Sequence, residues 1–396
     1  MTRADRQPGD RPDPFARPRD LHPVDRPDPG MVQILAPDGT RTDHPDFSFD
    51  IDDDGLCRAL EDMVMARRLD LEGTNLQRHG ELSLWPPLMG QEATQVGAHL
   101  ALGPDDQVFP TYREQALAHL MGVSLADILA AWRGTAHSCW DTRATHVSAY
   151  PVMIGSGTLH AVGYAMGIQR DRDADPDLRA AVLDFHGDGG MSEGDTNEAY
   201  VFAASMGAPI VFCCVNNQWA ISEPTTVQSP TSLYRRALGF GIPAVQVDGN
   251  DVIAVAAVLA AALERARNDE GPLFVEAWTY RRGAHTTTDD PTRYRTSESE
   301  HEWELTDPIE RLRHHLQDRG VIDDQWMADL QGRADEFGAR VRAAVDERKV
   351  RPLPELLDQV YVDPPAELRR QKEELTEWLA LGDPQTTSGE DGEARR

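Results

Sequence analysis

Residues 187–222 combine an acidic, glycine-rich loop, Gly187-Asp188-Gly189-Gly190, with two adjacent asparagines, Asn216 and Asn217. Between them lies the apolar run "PIVFCCV" (209–215). A carboxylate and an amide oxygen are hard ligands, suited to Mg²⁺ or Ca²⁺. Glycines let a backbone approach a phosphate closely, and a helix beginning near Ser192 would aim its first N–H groups at it. The chemistry implied is a diphosphate held through a divalent cation. Gly-Asp-Gly alone is an ordinary turn, and Asn-Asn alone is an ordinary loop. Their placement at two successive strand ends, with a helix between, carries the argument.

The elements that would position these residues alternate. "AAVLDF" (180–185), "PIVFCCV" (209–215), "AVQV" (244–247) and "LFVEAWT" (273–279) have strand length and strand composition. Helical patterns lie between them. One begins after Asp251, a good N-cap, and shows apolar spacing of three and four. Another, "NEAYVFAASMG", ends at Gly207, which suits a helix C-cap. This alternation predicts an α/β fold: a doubly wound, mostly parallel sheet with helices on both faces. Ligands of such sheets sit at the carboxyl ends of strands, where Asp188 and the asparagines fall. A short strand and turn are expected over 31–50. Beyond about residue 305 the pattern is helical only, which predicts a C-terminal helical extension over 306–380. The α/β domain is thus placed at 31–305. The Pro-, Asp- and Arg-rich residues 1–30 and the polar residues 381–396 are expected to be disordered.

Bulk properties narrow the class. The chain has 396 residues, enough for one large α/β domain or two smaller ones. Its formal net charge of −28 disfavours nucleic acid and anionic membranes as partners. No apolar run reaches 18 residues, and the N-terminus lacks the apolar centre of a secretory signal. It also carries too much Asp for a transit peptide, so the cytoplasm is expected. Cys57, Cys139, Cys213 and Cys214 show no CxxC spacing and suggest neither a zinc site nor a disulfide framework.

Longer stretches carry a resemblance. "GDG" with "NN" about 27 residues on looks like the thiamine-diphosphate motif. "LMGQEATQVGAHLAL", "VFPTYREQALAHLMGVS", "NNQWAISEPT", "VDGNDV", "YRRGAHTTTDDPTRYR" and "VYVDPPAELRRQ" resemble the alpha subunit of the decarboxylating component of 2-oxo acid dehydrogenase complexes. The resemblance extends from about residue 45 to about residue 380. It implies the thiamine-diphosphate-binding fold, with thiamine diphosphate and Mg²⁺ as cofactors. It implies oxidative decarboxylation of a 2-oxo acid with acyl transfer to a lipoyl group. An acidic residue needed by the cofactor's pyrimidine ring would come from a beta subunit, giving an α2β2 heterotetramer that serves a lipoyl acyltransferase component.

The resemblance carries site roles residue by residue. Asp188 and Asn217 match the magnesium ligands, and Trp219 matches a ligand acting through its main-chain carbonyl. Gly187, Gly189 and Gly190 match the loop against the diphosphate. Tyr112 and Arg113 match a pair that holds diphosphate oxygens. His285 matches a catalytic and cofactor-contacting histidine near the reactive carbon, with Arg281 ordering its loop. Val152 and Ile154 would offer backbone groups to the aminopyrimidine ring. Val215 and Val152 depart from the pattern of animal branched-chain relatives, which carry Arg and Ser there. Thr286 stands where animal homologues carry a regulatory serine.

The details "NNQWAIS", "HTTTDDPTRYR" and "LWPPLMGQEA" lie nearer to enzymes acting on branched-chain 2-oxo acids, such as 3-methyl-2-oxobutanoate, than to pyruvate enzymes. A pyruvate dehydrogenase alpha subunit is the alternative. A degenerate scaffold paralogue is the non-enzymatic alternative, and retention of Asp188, Asn217, Arg113 and His285 argues against it. The "YRRGAHTTTDDPTRYR" loop argues against another kind of thiamine enzyme.

Overall fold

The computed structural model describes residues 24–136, 140–296, 303, 306–348 and 352–381. The chain divides into two compact units, one up to Val345 and the other from Asp346 onward. The first unit is built on a five-stranded parallel sheet. Its strands are β1 (Gln107–Phe109), β2 (Val182–Gly187), β3 (Ile210–Asn216), β6 (Ala244–Asp248) and β7 (Leu273–Trp278), in the order β1-β2-β3-β7-β6. A small antiparallel hairpin, β4 (Trp219–Ala220) with β5 (Glu223–Pro224), follows β3.

β3 shows why the sheet is parallel and covered. Every residue of Ile210–Asn216 is buried. Its apolar stretch, residues 210–215, requires cover on both faces. Val211, Cys213 and Val215 face a core shared with the helices Asp53–Arg78, Glu92–Ala101 and Val252–Arg267. Ile210, Phe212 and Cys214 face the other core, shared with the helices Ser156–Ala174 and Gly194–Met206. Cys213 and Cys214 are free, buried thiols. β2 and β3 run side by side in register, with His186 opposite Cys214 and Gly187 opposite Val215. Their carboxyl ends therefore emerge together.

The caps form as the sequence predicts. Asp251 Oδ1 accepts from the N–H groups of Ile253 and Ala254, at 3.0 Å each. Its Oδ2 accepts from Ile34 and Leu35, tying the early segment to this helix. Gly207 closes its helix in the left-handed conformation, at φ 62°.

Several boundaries differ from expectation. β2 starts and ends two residues later than "AAVLDF", so His186 and Gly187 belong to the strand. Asp188–Ser192 is a tight 3₁₀ turn, and the helix expected near Ser192 begins at Gly194. The segment after residue 30 makes isolated bridges, Val32 with Val247 and Leu35 with Arg41, rather than a strand of its own. Of the expected N-terminal arm, residues 1–23 lie outside the described residues. Val24 is buried, and Asp28 accepts from Tyr234 Oη at 2.6 Å.

The boundary between the compact units falls after Val345, not near residue 305. The helices Pro308–Asp318 and Asp324–Ala344 belong to the first unit. Their Ile309, Leu312, Leu316 and Leu330 join the core of Leu56, Leu60 and Met63, so this stripe completes the α/β body. The second unit holds the 3₁₀ segment Leu353–Gln359 and the helix Ala366–Ala380, in which no residue is buried. The expected tail beyond Leu381 lies outside the described residues.

Candidate active site

The carboxyl ends of β2 and β3 open into a cavity of about 470 Å³. Tyr112, Arg113, Val152, Ile154, Gly187, Asp188, Gly189, Gly190, Asn217, Trp219 and His285 all line it. Every residue singled out from the sequence as catalytic, cofactor-binding or metal-ligating thus borders one space.

Asp188 and Asn217 are both buried, at 2% and 6% exposure. Asp188 Oδ2 accepts from Thr225 Oγ1 at 3.1 Å and from Gln228 Nε2 at 3.0 Å. These two donors hold one carboxylate oxygen in place. Burial pushes the Asp188 carboxyl above its usual range, against the donors that lower it. A divalent cation would reverse that penalty.

The two asparagines part company. Asn216 Nδ2 donates to the buried Glu276 at 2.6 Å, so its side chain is committed to the sheet. Asn217 Oδ1 accepts from the N–H of Trp219 at 3.3 Å, and its Nδ2 donates to Gln91 Oε1 at 3.4 Å. Gln218 and Ile221 hold left-handed backbone conformations, φ 73° and 56°. Such non-glycine strain persists only where surrounding bonds impose it.

The surrounding bonds come largely from Arg281, which is fully buried. Its Nη1 donates to the carbonyl of Trp219 at 2.9 Å, and its Nη2 to that of Ile221 at 2.7 Å. Nη2 also donates to Tyr294 Oη at 3.1 Å, and Tyr294 packs on the Trp219 ring at 5.4 Å. Burial, with Arg113 nearby, lowers the Arg281 guanidinium to about 10.

Arg113 reaches His285. Its Nη1 donates to Pro87 O at 2.5 Å and its Nη2 to His285 O at 3.2 Å. Its guanidinium lies over the Tyr112 ring, 5.4 Å from the centroid. His285 Nδ1 stands 3.3 Å from Arg113 Nη2 and 3.3 Å from Arg281 Nη1. Guanidinium groups only donate. Nδ1 must therefore accept, and the ring proton resides on Nε2. Burial, then Arg113 and Arg281, push the His285 pKa down to about 3. The imidazole is neutral across the physiological range and presents an N–H donor. Its main-chain N–H donates to Asp289 Oδ2 at 2.9 Å, which anchors the loop.

The glycines differ in purpose. A Cβ on Gly187 would meet nothing within 4 Å, whereas one on Gly189 would stand 2.8 Å from Ala220 Cβ. Gly187 opens onto the cavity, and Gly189 admits the β4–β5 hairpin. The side chains of Val152, Met153, Ile154 and Ile221 are exposed at the mouth. Gln91, Thr225, Gln228 and Glu276 support the site without having been singled out from the sequence. "MGQEA" and "PTTVQS" carry three of them in plain view, but nothing local signals their direction.

Among the described residues, no group of three or more His, Cys, Asp or Glu side chains could hold a metal ion. Any cation here would need amide and carbonyl oxygens to complete its shell, as the Asp188–Asn217 pairing implies. The sequence pattern of the family described as "Dehydrogenase E1 component" matches residues 61–356. The chain belongs to this family. The 3-methyl-2-oxobutanoate dehydrogenase subunit alpha of Mycobacterium tuberculosis is 42% identical over 354 residues, covering 89% of this chain and 95% of that protein. The pyruvate dehydrogenase E1 component subunit alpha of Staphylococcus epidermidis is 35% identical over 346 residues, covering 87% and 92%. Its counterpart in Staphylococcus aureus is 34% identical over 349 residues, again covering 87% and 92%. As an E1 alpha chain, the protein is an oxidoreductase of the 2-oxo acid dehydrogenase class.

Proposed function

We propose that this chain forms the alpha half of an E1 active site that holds thiamine diphosphate through Mg²⁺ and decarboxylates a branched-chain 2-oxo acid such as 3-methyl-2-oxobutanoate. The observation that carries the reading is the convergence of Asp188, Asn217, Arg113 and His285 on one cavity at adjacent strand ends. The residues fit the group. Asp188 Oδ1, Asn217 Oδ1 and the Trp219 carbonyl would supply oxygens for the cation. Two guanidinium groups meet at His285 Nδ1, and their like charge calls for an anion nearby. The open face of Gly187 leaves room for a diphosphate against the backbone. Gly190 continues that wall, and Tyr112 supports Arg113 from below.

When bound, thiamine diphosphate supplies the electron sink that lets a 2-oxo acid lose carbon dioxide. The protein's part is orientation and electrostatics. Arg113 would hold diphosphate oxygens, and the main chain at Val152 and Ile154 would face the aminopyrimidine ring. His285, fixed by Arg113, Arg281 and Asp289, offers its Nε2–H toward charge developing near the reactive carbon. Leu84, Pro86 and Trp132 provide apolar walls that suit an alkyl side chain. The higher identity to the 3-methyl-2-oxobutanoate enzyme supports the branched-chain preference.

The exposed apolar rim of Val152, Met153, Ile154 and Ile221 supports a beta subunit seated over the mouth, in an α2β2 assembly. That assembly would pass the acyl group to a lipoyl acyltransferase component. No helix among the described residues is long and apolar enough to cross a membrane, which accords with a cytoplasmic location. The test is to assay the chain alone and with its beta subunit on pyruvate and 3-methyl-2-oxobutanoate. Turnover should require the beta subunit, and kcat/KM should favour the branched substrate. Turnover by the lone chain, or a preference for pyruvate, would overturn the corresponding part of the reading.

A further inference from the structure

Gln91 is 2% exposed and borders the cavity. Its two amide ends meet different fates. Oε1 accepts from Asn217 Nδ2 at 3.4 Å. Nε2 is buried with no hydrogen-bond partner among the described residues. A buried donor left unmade costs about 1–3 kcal/mol, so native proteins seldom keep one without a use.

The backbone holds Gln91 firmly in place. It directly precedes the helix Glu92–Ala101 and follows Gly90, whose φ is +97°. A Cβ on Gly90 would lie 2.2 Å from the carbonyl of Tyr280, so only glycine lets this turn press against the chain leaving β7. Thr279 Oγ1 donates to Gly90 O at 2.8 Å, and Gly90 N donates to Glu92 Oε2 at 2.9 Å. Gln91 N donates to Leu88 O at 3.0 Å. The side chain thus projects from a fixed point beside Asn217.

An asparagine amide can ligate a cation only through its oxygen. The contact with Gln91 Oε1 selects the rotamer in which Asn217 turns its NH₂ toward Gln91. The Trp219 N–H fixes the oxygen at the other end. We propose that Gln91 both positions and binds: its Oε1 keeps the Asn217 oxygen directed at the cation, and its Nε2 donates to an anionic oxygen of the diphosphate. This rests on the thiamine-diphosphate reading above and adds a residue to it.

The test uses the assembled alpha–beta enzyme carrying Gln91→Met, which removes both functions at similar volume, and Gln91→Glu, which keeps the acceptor but loses the donor. Thiamine diphosphate is titrated calorimetrically at saturating Mg²⁺. Mg²⁺ is then titrated at saturating thiamine diphosphate, and thermal melting is recorded without either. Gln91→Met should bind thiamine diphosphate about 10- to 100-fold more weakly, the loss expected for a hydrogen bond to a charged group. It should also need several-fold more Mg²⁺ for half-saturation. Gln91→Glu should lose thiamine diphosphate affinity without raising the Mg²⁺ requirement. Should Gln91→Met fail to fold, Gln91→Glu decides alone. A variant that melts like the wild type and binds thiamine diphosphate within two-fold of it overturns the inference while leaving the parent reading intact. Wild-type enzyme that takes up no thiamine diphosphate overturns both.

Discussion

Gly187→Ala and Gly189→Ala should fail in opposite ways, although the two glycines stand two residues apart. Gly187 has φ −83° and ψ 170°, an extended conformation that alanine adopts freely. Its added methyl would meet nothing within 4 Å in the protein. The ligand-free variant should be as stable as the wild type, or more so by up to about 1 kcal/mol, because the unfolded chain loses freedom. The methyl would, however, occupy the face proposed for the diphosphate. Overpacking of that kind costs about 1–3 kcal/mol, or about 5- to 150-fold in thiamine diphosphate affinity. On Gly189 the methyl would lie 2.8 Å from Ala220 Cβ. Carbon atoms sit comfortably about 3.5–4.0 Å apart, so the β4–β5 hairpin must retreat by roughly 1 Å. The same 1–3 kcal/mol is then lost from the ligand-free protein. Urea unfolding without ligand and calorimetric titration of thiamine diphosphate with Mg²⁺ separate the two effects. Wild-type affinity in Gly187→Ala would refute the placement of the diphosphate. Wild-type stability in Gly189→Ala would refute the packing argument.

Three further outcomes follow from the same geometry. Asp188→Ala and Asn217→Ala should each abolish Mg²⁺-dependent thiamine diphosphate binding, since each removes one of few oxygens available to the cation; unchanged calorimetric affinity in both would remove the assigned site. The His285 imidazole, assigned by NMR against His285→Gln, should stay neutral from pH 8 down to 5, because burial, Arg113 and Arg281 hold its pKa near 3. With the folded value below the unfolded one of about 6.5, its contribution to stability is complete above about pH 6.5 and is lost as pH falls toward 3; titration near 6.5 would contradict the two-guanidinium arrangement. Asp251→Ala orphans four backbone N–H donors and should cost at least about 2 kcal/mol in urea unfolding, so a change below about 0.5 kcal/mol would show that the cap does not fasten the early segment.

Much of the architecture is legible because its signals are local. β3 is an apolar run closed by Asn216, and Asp251 and Gly207 mark helix ends whose backbone requirements single residues can meet. The three-residue β1 escapes such reading, because three residues carry no period and its place depends on pairing with β2. The helices between 308 and 344 read as an extension for a related reason. Their apolar stripe, strongest in Ile309, Leu312 and Leu316, announces burial but not the surface that covers it.

The sequence alone singled out the candidate parts: Asp188 in a glycine loop and the adjacent asparagines from their own pattern, and Tyr112, Arg113 and His285 through the family resemblance. Ligand chemistry depends on residue type, and the spacing of strand-sized runs places Asp188 and the asparagines at strand ends. Tertiary structure decided how each would be used. Only the pairing of β3 with β7 turns Asn216 to Glu276 and leaves Asn217 to the cavity. Only the approach of residues 113 and 281, far apart in the chain, makes His285 a neutral donor. Gln91 gained its place from a turn pressed against the end of β7, some 190 residues away. These are non-local hydrogen bonds and desolvation effects. They depend on where the chain packs against itself, which no local window of residues contains.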